Sequence, residues 1–146
     1  MDETVMPVSK EIKDRRKAYL VAHPTCEYWL ACGRDWAGPK GTHRRPLASV
    51  EVHHVLGRGG PGDAAEWPGN WLAVSRPWHD WATDNSAHAR IVALWFKWKK
   101  RDPKTWNDDL TRMRAVFGQR PMGWLANQLT KELPVWVRTR AEEVLA

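Results

Sequence analysis

Between Gly57 and Gly69 the chain carries five glycines and two prolines. Such a stretch cannot propagate a helix or a central strand, because glycine loses backbone entropy there and proline removes a donor. The runs on either side are of two kinds. Leu47 to His54 alternates, with Ala48, Val50, Val52 and His54 on one face and Ser49, Glu51 and His53 on the other. That period reads as a strand, and it sends the two histidines to opposite sides. Trp71 to Val74 is a short apolar run that reads as a second strand. Pro77 suits the first turn of a helix carrying His79. The order is strand, loop, strand, helix, and loops of this length in compact domains are functional or disordered.

The rest of the chain reads as helical. Lys10 to Ala22 is a helix with Ile12, Ala18, Tyr19 and Val21 as its apolar positions and Arg15, Arg16 and Lys17 on its wet side. Pro24 ends it, and Cys26 to Thr42 is loop-rich. Ser86 is a candidate N-cap for a helix running to about Lys100, with Ala87, Ile91, Leu94, Trp95 and Trp98 in one stripe. Asp102-Pro103 starts another, where Trp106, Leu110, Met113 and Phe117 form a core stripe and Gly118 ends it. A segment from about Gly123 to Leu133 and one after Pro134 complete the set. The expected architecture is α+β, mainly α: one domain over 1–146, with a motif core at about 47–84 and a helical part at about 86–146.

Charge bounds the partners. A formal charge of +6 and a pI near 9.6 suit either a polyanion, whose counterions binding would release, or simply solvated basic faces. No apolar run approaches the ~20 residues of a membrane span, and Met1-Asp2-Glu3-Thr4-Val5 is unlike a signal peptide. Two cysteines are too few for a disulfide framework. A cytoplasmic protein is the expectation. The 11 tryptophans are expected mainly as core anchors, with some available to stack on bases.

The candidate chemistry lies in the pattern H-H-x15-N-x8-H formed by His53, His54, Asn70 and His79. Hydrolysing a phosphodiester needs a base for water, a cation for the charge developing at phosphorus, and stabilisation of the leaving oxygen. Imidazoles can serve as base or ligand near neutral pH. An asparagine cannot titrate, so it either binds a metal or orients the base.

Segment 50–83 resembles the ββα-metal motif of the HNH endonuclease superfamily. Its matching residues are His53-His54 at the first strand's end, Asn70 in the loop and His79 at the helix start; Val52-His-His-Val-Leu-Gly-Arg58-Gly is similar to the family's first box. The resemblance implies single-metal hydrolysis of DNA, often as nicking, in a small stand-alone protein of phage type acting in the host cytoplasm. Carried over, His54 is the general base and His53 and His79 are metal ligands. Asn70 holds the loop and orients His54, or binds the metal, and Arg58 contacts the phosphate. Weaker DNA contacts are expected from Arg44, Arg45, Arg76, Lys97 and Lys100, although Lys97 to Arg101 also suits a solvated helix C-terminus. With Thr83 where many family members offer a further ligand, the expected metal is a hydrated Mg²⁺ or Mn²⁺, with Ni²⁺ or Zn²⁺ also open.

One family feature is missing. Two Cys-x-x-Cys pairs often hold a structural zinc, and here those positions are Cys26, Trp29, Ser75 and Trp78. One thiol, one hydroxyl and two indoles are not a tetrahedral zinc site. Trp29 and Trp78 are expected to pack together in its place. His88 is expected at the surface, and His23 and His43 lack context. The competing reading is a DNA-binding or assembly module that keeps the fold with little activity. Action on RNA remains a third option. Nothing in the basic residues suggests a base-reading element, so weak sequence specificity is expected.

Overall fold

The alternating run and the apolar run pair as a hairpin. In the computed structural model, which describes residues 9–32, 46–57, 65–99 and 103–146, β1 (Glu51–His54) lies antiparallel to β2 (Trp71–Val74). Glu51 faces Val74, Val52 faces Ala73, His53 faces Leu72 and His54 faces Trp71. β1 is shorter than the Leu47–His54 run, because Ala48 bridges Thr25 instead of joining the hairpin. All four β2 residues are buried. Leu72 and Val74 enter the main core, while Trp71 and Ala73 join a smaller cluster with Tyr19. A strand covered on both faces wants an apolar residue at every position, and Trp-Leu-Ala-Val supplies that.

α3 (Arg76–Asp84) follows β2 with Pro77 in its first turn, completing a ββα unit. The other helices cover it. α1 (Lys10–Ala22) begins at Ser9, whose Oγ accepts from Ile12 N at 3.2 Å. Its inward face is Ile12, Arg16, Tyr19, Leu20 and His23. Those positions are spaced four, three, one and three apart, as a helical stripe requires. Ala18 and Val21, expected inside, point outward instead, with Val21 82 % exposed. α2 (Glu27–Cys32) occupies part of the expected loop. Six residues are too few for a helical period to declare itself, and tertiary packing stabilises so short a helix.

The N-cap position of α4 (Ser86–Leu94) is Asn85, one residue before the expected Ser86, and its side chain donates to the Trp81 carbonyl instead of capping. Its residues Ala89 and Ile91 to Leu94 are buried, so it runs through the core. A π-helical turn at Trp95–Lys99 then replaces the continuous helix expected to Lys100. This turn puts Lys97 in the interior, fully buried, with Nζ donating to the Tyr19 hydroxyl at 2.8 Å. Lys97 therefore does not belong to a DNA-facing surface, as the basic run suggested. α5 (Pro103–Phe117) ends at Gly118, whose φ of +68° is the left-handed turn that glycine adopts without strain. Met113 is fully buried and Phe117 packs against the same core, while the side chains of Trp106 and Leu110 lie outside the described set.

α6 (Arg120–Gln128) starts and ends a few residues before the expected Gly123–Leu133 segment, and α7 (Val135–Leu145) follows Pro134. The Arg140 guanidinium of α7 lies 4.6 Å from the Trp95 ring centre and 5.3 Å from that of Trp136, and donates to the Ala31 carbonyl. It ties the last helix to α2. The described fold is thus α+β and mainly α: seven α-helices around one two-stranded sheet. No helix among the described residues is long and apolar enough to cross a membrane.

Candidate active site

The end of β1 presents two chemistries on two faces. Odd-numbered Glu51 and His53 look toward α2 and α3. Even-numbered Val52 and His54 look toward α1, where Val52 packs with Tyr19 and Trp71. The strand period separates the adjacent histidines.

On the first face, the His53 ring stands 5.2 Å from that of His79, nearly edge-on, and 5.9 Å from Tyr28. His79 comes from the first turn of α3, and its Nδ1 meets Glu51 Oε1 at 2.9 Å. Arg76 reaches the same carboxylate oxygen at 3.3 Å and pairs with Asp80. Burial pushes the Glu51 carboxyl up, but the His79 hydrogen bond and the charges of His79 and Arg76 outweigh it and leave it below its ordinary range. His53 is driven down to about 4, first by burial and then by the charges of His79, His54 and Arg90, against the pull of Glu51. At neutral pH it is a neutral imidazole, the form that binds metals. Because Glu51 holds Nδ1 of His79, the Nε2 atom is the one left to a ligand role, the usual arrangement of a carboxylate behind a metal-bound histidine. Among the described residues no group of three or more metal-ligating side chains converges. The two imidazoles could hold only a cation that keeps most of its waters.

On the second face, His54 Nε2 lies 3.0 Å from both oxygens of Glu66. Arg16 of α1 donates from Nε to Glu66 Oε1 at 3.2 Å and from Nη2 to Oε2 at 2.6 Å. The Trp71 indole donates to Oε1 at 3.1 Å. The His54 side chain is 10 % exposed and that of Glu66 5 %. Burial pushes the Glu66 carboxyl up, but the hydrogen bonds and charges of Arg16 and His54 prevail and hold it at about 2. The Arg15 guanidinium is 5.8 Å from the Trp71 ring centre, and that of Arg112 is 5.1 Å from the Trp67 ring centre.

Asn70 joins the two faces to the loop. It is fully buried at the end of the 3₁₀ turn Pro68–Asn70. Its Oδ1 accepts from Leu56 N at 2.9 Å, and its Nδ2 donates to Gly57 O and Ala65 O, both at 3.0 Å. The carboxamide thus clasps residues on both sides of 58–64 and faces loop backbone, not the space beside His53 and His79. Gly69 must be a glycine, since a Cβ there would run into the Asp109 carboxylate and the Trp67 indole.

Arg44, Arg45, Arg58, Lys100 and His43 lie outside the described residues. Arg76 is exposed beside Glu51. Thr83 donates its hydroxyl to the His79 carbonyl. His88 is part-exposed at the surface, and His23 stacks on Tyr19 at 4.1 Å. Cys26, Ser75 and Trp78 are buried, and Trp29 packs on the same core. Ser75 Oγ and the indole nitrogens of Trp29 and Trp78 make no hydrogen bond among the described residues. Trp78 stacks on Tyr28 at 6.2 Å and meets Trp81 edge-on at 5.3 Å.

Three contributors escaped the pattern H-H-x15-N-x8-H. Glu51 sits two residues before His53, on the same strand face, and that spacing was a usable signal. Arg16 had one as well: it occupies an inward position of α1, where an apolar residue would be expected. Glu66 follows two alanines in a loop and carries no local signal. Compared with known proteins, the chain matches no family model, no curated protein and no solved structure.

Proposed function

We propose that this chain is a metal-dependent DNA endonuclease that hydrolyses a phosphodiester bond, most simply by nicking one strand. One observation carries the reading. A strand and a helix bring His53 and His79 to 5.2 Å of each other, while the neighbouring His54 sits against a carboxylate on the strand's other face.

His53 and His79 would hold a divalent cation such as Mg²⁺ or Mn²⁺, and that ion would supply charge stabilisation at the phosphate and the leaving oxygen. The chain's own residues do the rest. His54 takes a proton from water as the resulting hydroxide attacks phosphorus and the P–O3′ bond breaks. The imidazolium so formed is stabilised by Glu66. Glu51 keeps His79 turned to its ligand position. Asn70 ties Leu56 and Gly57, next to the base, to Ala65. Arg15 and Arg112 offer positive charge over the Trp71 and Trp67 rings, and Arg58 remains the proposed phosphate contact. These cations carry charge without a base-reading element, which supports weak sequence preference.

The test is cleavage of supercoiled plasmid by purified protein with Mg²⁺, Mn²⁺, Ni²⁺ or EDTA, beside His54→Ala. Metal-dependent nicking that disappears in His54→Ala is the expected result. Nicking that persists in the variant would remove His54 as the base. DNA binding without cleavage under every metal would replace the enzyme by a non-catalytic DNA-binding module.

A further inference from the structure

We propose that Glu66, clamped by Arg16 of α1, is the positioning residue for His54: it selects the imidazole tautomer that carries its proton on Nε2. The inference rests on the nuclease reading for its catalytic consequence, but its structural content stands on the contacts themselves.

Three groups meet at one buried carboxylate. His54 Nε2 is 3.0 Å from each Glu66 oxygen, Arg16 Nη2 is 2.6 Å from Oε2, and Trp71 Nε1 is 3.1 Å from Oε1. Arg16 Nη2 also lies 3.3 Å from His54 Nε2. A ring nitrogen cannot both donate to Glu66 and accept from Arg16, so one contact must define the tautomer. The distances decide it. An ionised carboxylate only accepts, so an unprotonated Nε2 would set its lone pair against two carboxylate oxygens at 3.0 Å, whereas a protonated Nε2 donates to them and leaves only the longer Arg16 approach unused. The 3.3 Å approach then follows from two donors sharing one carboxylate. With Nε2 protonated, the basic lone pair of neutral His54 falls on Nδ1. When that atom takes a proton, the positive ring faces a carboxylate already in place, with no reorganisation at the moment of reaction.

The geometry also explains why α1 lies where it does. Arg16 stands fifty residues from Glu66 in the chain and takes an inward position of its helix between Ile12 and Tyr19. Its guanidinium donates twice to the carboxylate, which leaves Glu66 a single orientation toward His54. An N-terminal helix outside the ββα unit thereby enters the site.

The test has two readouts. The first is the tautomer of His54 in the full-length protein at neutral pH, read from its ring ¹⁵N and carbon-bound ¹H shifts by long-range NMR correlation. The second is plasmid nicking by Glu66→Gln, which keeps the shape and one acceptor oxygen but removes the charge, and by Arg16→Lys, which keeps the positive charge. Circular dichroism at the assay temperature confirms that each variant is folded. The expected results are the Nε2–H tautomer in the wild type, a kcat lowered about 100-fold in Glu66→Gln with KM nearly unchanged, and a smaller but distinct loss of kcat in Arg16→Lys, whose ammonium keeps the charge without the two-point donation. The Nδ1–H tautomer in the wild type would overturn the proposal. So would a folded Glu66→Gln with wild-type kcat. If the wild type cuts under no metal, the nuclease reading and the catalytic role fall together, while the tautomer still decides whether Glu66 sets the ring.

Discussion

Replacing Asn70 by aspartate tests the loop clasp with a change of one atom type. In the wild type Oδ1 accepts from Leu56 N, while Nδ2 donates to Gly57 O and Ala65 O. Asn70→Asp keeps the acceptor and deletes both donors. The buried Ala65 carbonyl and the part-buried Gly57 carbonyl are left facing a carboxylate oxygen. Each unsatisfied group costs about 1–3 kcal/mol, so the variant should lose about 2–6 kcal/mol at neutral pH. Against a typical total of about 5–15 kcal/mol, that is enough to bring the domain near unfolding. The cost should depend on pH. Burial beside two carbonyls raises the new carboxyl above its unfolded value of about 3.9. A raised acid pKa means that relative stability is recovered toward the unfolded pKa and lost as pH rises through the folded one. Urea unfolding of both proteins at pH 7 and pH 4.5 measures this directly. The gap in midpoint should be large at pH 7 and smaller at pH 4.5. A gap below about 0.5 kcal/mol at pH 7 would place the substitution among neutral surface changes and refute the clasp.

Further expectations follow from the two faces of β1. The carboxyl of Glu66 is held at about 2, far below its ordinary 4.5, so its contribution is present above pH 4.5 and lost as pH falls toward 2. Acid unfolding of the wild type should therefore show up to about 3 kcal/mol of pH-dependent loss in that window that Glu66→Gln lacks; parallel curves for the two proteins would contradict the ion-pair account. Glu51→Gln should weaken Mn²⁺ binding about 10- to 100-fold by isothermal titration, through the loss of the carboxylate behind His79; unchanged affinity would separate Glu51 from the metal. Dialysis against EDTA should leave the melting temperature unchanged, because the thiol, hydroxyl and two indoles of Cys26, Ser75, Trp29 and Trp78 are not a zinc ligand set. One equivalent of tightly held zinc by elemental analysis would reverse that conclusion.

Local pattern was enough for much of the ββα unit. Alternation over Leu47–His54 placed His53 and His54 on opposite faces, the four apolar residues of β2 marked a strand buried on both sides, and Pro77 and Gly118 marked a helix start and a helix end. These are near-neighbour effects, set by backbone sterics and side-chain period, so sequence alone determines them. The pattern also named the site's three histidines and its asparagine. It did not decide how they are supported. Glu66 reaches His54 across twelve residues and Arg16 across thirty-eight, and such pairings leave no periodic trace. Lys97 shows the same limit from the other side. In a run of basic residues it reads as surface, but the π-helical turn rotates it inward to the Tyr19 hydroxyl. The sequence by itself determined which segments become strand and helix and which face each histidine takes. Only the tertiary structure decided which charges are buried and which carboxylate each imidazole meets, because burial and long-range pairing depend on how distant segments pack.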